Sequence, residues 1–141
     1  MNDDAAHDDT AARIYARMRH LVLDSDDRRR RVVEVTGLSF ARARALRRLA
    51  RQPMRMSTLA AELFTDKPYA TVIVDELERR GLVVRTTAPD DRRVKVVSLT
   101  DEGRELAARA EEVLGRPPAA LSALPAEEMA TLDELLARLA P

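Results

Sequence analysis

The stretch Asp75–Gly103, DELERRGLVVRTTAPDDRRVKVVSLTDEG, leaves its backbone few choices. A helical pattern ends at Gly81, a residue that closes helices because it tolerates the left-handed conformation. Leu82–Thr87 and Val94–Leu99 follow, both rich in β-branched residues, and between them lie Ala88–Arg93 with two acids and two arginines. This pattern predicts a two-stranded hairpin with a charged tip. Thr100, followed by Asp101 and Glu102, then predicts a helix cap.

The rest of the chain reads as helices. Residues 1–9 are polar and are expected to form a disordered tail. From about Thr10, Ile14, Met18, Leu21 and Val22 recur at helical spacing, and Val32, Val33 and Val35 resume after the charged run Asp24–Arg31. That run is either a solvated helix face, which i,i+4 pairs of acids before arginines favour, or a break. Thr36-Gly37 ends the first helix, and Ser39 caps a second, Phe40–Arg51, with Ala43, Leu46, Leu49 and Ala50 inward. Pro53 stops it. Ser57 is expected to cap a short third helix, Thr58–Phe64, and Asp66 a fourth, Lys67–Arg80, with Pro68 in its first turn. A fifth helix spans about Asp101–Gly115, Pro117-Pro118 interrupts, and a last helix covers about Ala126–Leu139. On it, Met129, Leu132, Leu135, Leu136 and Leu139 form one apolar stripe.

Charge is distributed unevenly although the net charge is zero. Residues 37–96 hold thirteen Lys/Arg against seven Asp/Glu, while residues 97–141 hold four against nine. A basic middle between acidic ends points to one face for a polyanion. The absence of Cys excludes disulfides and thiolate zinc sites. No apolar run approaches the roughly 20 residues that span a bilayer, and the acidic start MNDDAAHDDT has no signal-peptide pattern. A cytoplasmic protein is expected, with no membrane partner.

Short helix, tight connection, second helix and β-hairpin are the order of a winged helix-turn-helix. The expected fold is mainly α with a small β-hairpin, its N- and C-terminal helices forming a dimerisation region. In Lys67–Arg80 the inward face is Ala70, Ile73, Val74 and Leu77, and the outward side shows Lys67, Pro68, Tyr69, Thr71, Val72, Asp75 and Arg79. A ribbon with arginines at its tip can place a guanidinium in a narrow minor groove, where negative potential is concentrated. Asp91, two residues before Arg93, has the spacing to hold that guanidinium by a bidentate pair. The plainer reading of this turn is a set of solvated ion pairs.

The segment Asp75–Gly103 resembles the signature of the MarR family of bacterial transcription regulators: a Leu-Glu-x-x-Gly-Leu-Val end to the recognition helix, an Asp-x-Arg wing, and Leu-Thr-x-x-Gly opening a helix. GLSFARARALRRLA (Gly37–Ala50) and MSTLAAEL (Met56–Leu63) are similar to the family's second and third helices. The resemblance implies a homodimer joined by its first and last two helices, with two winged lobes on a pseudo-palindromic double-stranded DNA operator. Residues 37–100 would form the DNA-binding lobe of a single domain, 10–141, and 10–36 with 101–141 the dimerisation helices. Asp91 and Arg93 match the wing pair, and Arg92 adds a second basic residue there. Lys67, Pro68, Tyr69, Thr71 and Val72 fall on the recognition helix, and Ser57 and Thr58 match the start of the helix before it. Ile14 and the Met129–Leu139 stripe are the dimer candidates, with intrachain packing as the competing role.

Departures from the family pattern are also visible. The family often has small polar residues where Pro68 and Tyr69 stand, Arg where Val72 stands, and a basic residue where Glu76 stands. Guanine readout by arginine is therefore not expected from this helix, whereas Tyr69, Thr71 and Val72 can meet thymine methyls and phosphates. The double proline shortens the fifth helix relative to the family. The resemblance also implies a small aromatic or phenolic effector between the dimer arms and the lobe. Tyr15, Met18, Arg19, His20 and Phe40 are the candidates to line that site, each with packing as its plainer role. No nucleophile–base set, phosphate loop or metal spacing stands out, so neither catalysis nor a cofactor or metal is expected. The expected function is a dimeric DNA-binding repressor, and the alternative is a winged helix used for protein contacts.

Overall fold

The computed structural model describes residues 2–24 and 27–140, with side chains from residue 4 onward. In chain order the elements are α1 (Asn2–Arg19, continued by a π-helical turn, His20–Asp24), α2 (Arg28–Thr36), α3 (Phe40–Arg51), β1 (Met54–Arg55), α4 (Met56–Glu62), α5 (Lys67–Arg79), β2 (Val83–Thr87), β3 (Lys95–Leu99), α6 (Asp101–Leu114), α7 (Ala119–Ser122) and α8 (Ala126–Leu139). They divide into two compact units, one of residues 1–27 and 117–141 and the other of residues 28–116. The expected disordered tail is corrected: α1 is helical from Asn2, and within it Asp9 pairs with Arg13 and the Thr10 hydroxyl donates to the Ala6 carbonyl. The charged run does not continue one helix, since the π turn precedes a separate α2; Ser25 and Asp26 lie outside the described residues.

The larger unit is built around a core of Leu38, Leu46, Leu59, Val74, Leu77, Val83 and Val97, all under 2% exposed. Apart from Leu38, in the bend before α3, these come from α3, α4, α5 and the sheet, where the helical ones follow the helical spacing of apolar residues. A second cluster, Val32, Ala43, Ala110 and Leu114, joins α2 and α6 to α3. The unit is therefore longer at both ends than the 37–100 lobe expected from the sequence. Arg28 reinforces the join by donating to the Leu114 and Arg116 carbonyls at the end of α6, where a cation suits unpaired carbonyls. On α3 the inward set is Ala43, Ala45, Leu46 and Leu49; Ala50, expected inward, is exposed.

The caps are specific. Ser39, Asp66 and Thr100 accept the backbone N–H of Arg42, Tyr69 and Gly103, respectively. Ser57 does not cap α4: the helix starts at Met56, two residues before the expected Thr58, and its N-cap is Arg55, with no side-chain cap bond. The sheet has three strands, not two, because Met54 and Arg55 pair with Val97 and Val96 to give the order β1-β3-β2. Two β residues beside Pro53 are too few to produce a readable period. β2 and β3 pair from Val83↔Leu99 to Thr87↔Lys95.

The hairpin base is closed by one junction. The Thr100 N–H donates to the Leu82 carbonyl at 3.0 Å, and the Thr100 hydroxyl donates to the Gly81 carbonyl at 2.7 Å. The first turn of α6 lies so close that a β-carbon on Gly103 would stand 1.9 Å from the Leu82 carbonyl oxygen. Gly81, at φ 72°, turns the chain out of α5 into this junction. In the smaller unit, by contrast, no described residue is fully buried. Its large apolar side chains, Ile14, Leu135, Leu136 and Leu139 among them, are exposed.

The junction yields a test. Gly103→Ala must push backbone apart, so urea denaturation is expected to show a loss of about 2–3 kcal/mol.

Candidate nucleic-acid interface

α5 presents the faces expected of it. Ala70, Ile73, Val74 and Leu77 are buried, while Lys67, Pro68, Tyr69, Thr71, Val72 and Asp75 are exposed. Pro68 sits in the first turn, where its missing N–H costs no bond. The Thr71 hydroxyl donates to the Lys67 carbonyl at 3.0 Å, which leaves its oxygen lone pairs and methyl group for an outside partner. Ser57 and Thr58 are exposed on the first turn of α4.

The wing is braced at two heights. Near its base, Arg85 on β2 donates to Asp75 at 2.5 Å and to both oxygens of Glu78 at 3.0 and 3.3 Å. Its side chain is only 24% exposed, and its contacts hold the Glu78 carboxyl below the usual range. This clasp ties the hairpin to the helix whose outward side faces away from the core. Nearer the tip, Arg55 reaches Asp90 at 2.6 Å and holds that carboxyl low. Neither brace was legible in the sequence. Arg55 and Asp90 are 35 residues apart, and Arg85 looks like one more alternating strand residue.

The tip corrects the expected ion pair. Asp91 does not hold the Arg93 guanidinium; its carboxylate accepts the Arg93 backbone N–H at 2.9 Å. The Asp91 carbonyl also accepts the Val94 N–H at 3.1 Å, closing a turn of the kind that Asp side chains stabilise. Among the described residues, neither Arg92 nor Arg93 has a carboxylate partner, and both are exposed. Ala88, at the root of the loop, is buried and donates to Val94. The tip is thus a fixed backbone turn carrying two free guanidinium groups.

Glu76, where a cation was the family expectation, is neutralised internally. It accepts from Arg79 and Arg80, and these bonds lower its pKa to about 2. Arg80 in turn donates to the Gly37 carbonyl, linking the end of α5 to the start of the α3 segment. The basic middle of the chain does not all serve the wing. Arg44, Arg47, Arg48 and Arg51 line a separate groove along α3, where Arg47 pairs with Glu111 and Arg48 with Glu62.

The effector candidates divide between the two units. Tyr15, Met18, Arg19 and His20 lie on α1 and its π turn, all exposed, with Arg19 stacked 5.9 Å from the Tyr15 ring. Phe40 lies in the larger unit, its ring under Arg29 at 4.5 Å and Arg44 at 5.8 Å.

The braces make two expectations. Arg85→Ala should speed hydrogen exchange at the β2–β3 amides while leaving α3 and α5 protected, because only the clasp is removed. Glu76 adds stability above its ordinary pKa near 4.5, and that share vanishes as pH falls toward about 2. Glu76→Gln should therefore melt below the wild type at neutral pH, the gap closing between about pH 4.5 and pH 2.

The MarR family model matches residues 36–94, which span α3 to the wing. A protein of Thauera aromatica, named as a transcriptional regulatory protein for the hcr operon, is 37% identical over 87 residues. That match covers 61% of this chain and 52% of the relative, so the chain spans about half of that protein's length. Among solved structures, the transcriptional regulator BldR from Sulfolobus solfataricus superposes with a TM-score of 0.66 at 28% identity, over 97% of this chain and 96% of that one. A mutant MarR from E. coli, crystallised with operator DNA, superposes at 0.67 with 25% identity, over 89% and 93% of the two chains. With the helix pair, the braced wing and these likenesses in agreement, residues 36–94 form a MarR-family segment, and the chain has the winged-helix fold of transcriptional regulators.

Proposed function

We propose that the chain is a cytoplasmic transcriptional repressor that binds a pseudo-palindromic duplex as a homodimer and is released by a small aromatic or phenolic ligand. The observation that carries the DNA-binding part is the pair of free guanidinium groups, Arg92 and Arg93, on a wing clasped to α5. In this reading α5 enters the major groove with Pro68, Tyr69, Thr71 and Val72 toward bases, and Lys67 meets a phosphate. Arg93 enters the adjoining minor groove, Asp91 shapes its turn, and Ser57 and Thr58 lie against the backbone. The E. coli relative's complex with operator DNA supports the same use of the lobe.

Dimerisation rests on a different observation. A unit without a single buried described residue gains little from folding alone. Ile14, Met129, Leu132, Leu135, Leu136 and Leu139 would be covered by the partner copy, as exposed apolar patches of this kind commonly are. A ligand preferring a lobe spacing that cannot fit successive grooves would release DNA by shifting that equilibrium. Tyr15, Met18, Arg19, His20 and Phe40 are its proposed contacts.

Exposed Pro68 and Val72 favour a second reading, a module for protein contacts. Gel retardation on DNA upstream of the chain's own gene separates the two readings. The wild type should bind with a steep salt dependence, and Arg93→Ala should lose about tenfold or more in affinity. Wild-type affinity in that variant would remove the minor-groove role.

A further inference from the structure

Phe64 closes the turn between α4 and α5 in a conformation that does not suit it. Its φ is 54°, the one positive value at a non-glycine residue among the described residues. The Thr65 N–H donates to the Ala60 carbonyl and the Phe64 N–H to the Ala61 carbonyl, both at 3.0 Å. These two bonds form a Schellman ending to α4, with Phe64 at the position usually held by glycine or asparagine. A β-carbon there is strained, and tight connections between such helices often contain glycine for that reason. No side-chain packing compensates, because Phe64 is 89% exposed. A strained, solvated aromatic ring is explained neither by the turn nor by the core, and strain of this kind marks functional positions.

The surroundings indicate the partner. Phe64 lines a shallow groove with Tyr69, Leu63 and Arg44. No carboxylate lines that groove, and Tyr69 belongs to the first turns of α5 beside Lys67 and Pro68. Two aromatic rings with a guanidinium at their edge match the chemistry of a sugar–phosphate strand, which offers apolar deoxyribose faces between anionic phosphates. We propose that Phe64 and Tyr69 form an apolar ledge against the DNA strand that borders the groove entered by α5, with Arg44 on a neighbouring phosphate. This contact rests on the DNA-binding reading above and adds Phe64 and Arg44, which lie outside its recognition helix and wing, with Tyr69 shared between the ledge and that helix.

The test uses the full-length protein and the best duplex it selects from a random pool. Phe64→Asn keeps a residue that tolerates the left-handed region, so its melting temperature should rise by about 2–4 °C. Its affinity for the selected duplex should fall about tenfold, with an unchanged slope of log K against log salt, because no charge is removed. Phe64→Tyr should bind within about twofold of wild type, and Arg44→Ala should reduce the slope by about one. A Phe64→Asn protein that binds as tightly as wild type, or that melts lower, overturns the ledge alone. A wild-type protein that selects no duplex overturns the DNA-binding reading, and the ledge falls with it.

Discussion

The lobe depends on the close contact of Gly103 with the Leu82 carbonyl. There α5 ends, β2 begins, β3 ends and α6 begins, and all four meet within a few residues of Thr100. Thr100 serves three bonds: its N–H to Leu82, its hydroxyl to Gly81, and its oxygen as acceptor for the Gly103 N–H. Any side chain at position 103 would separate these partners. Because the hairpin's root is fixed, everything further along it has a defined direction relative to α5.

From that root, order is maintained by charge rather than by packing. The hairpin's outer half buries little, so its position relies on the Arg85 clasp to Asp75 and Glu78 and on the Arg55 brace to Asp90. Isolated exposed pairs contribute little to stability. Here two carboxylates converge on one partly buried guanidinium, and the gain is in orientation. The acids of α5, which would repel a phosphate backbone if left free, are instead occupied by arginines of the same lobe.

Periodicity was informative where local chemistry decides structure. The inward face of α5, the caps at Ser39, Asp66 and Thr100, and the span of α8 follow from side chains within one or two turns of each other. It was silent on contacts made across the fold. The third strand rests on two residues, the Arg55–Asp90 brace spans distant segments, and the missing Ser57 cap reflects a helix that begins where β1 ends. The Asp91–Arg93 spacing was compatible with two bonds, and the backbone N–H, held next to the carboxylate by the turn, took it in preference to a mobile guanidinium. The acidic start looked too polar to order, yet local helical pairing such as Asp9 with Arg13 organises it.

With the Asp91 carboxylate accepting from its backbone N–H, the Arg93 side chain projects from the turn with no carboxylate among the described residues to hold it. Such a group surrenders more entropy when it is immobilised than one held in advance. In return it can settle into clefts of differing width and depth. Under the proposed function, the wing would then grade DNA targets by how easily they narrow and bend, and related promoters with drifting letters could share one regulator.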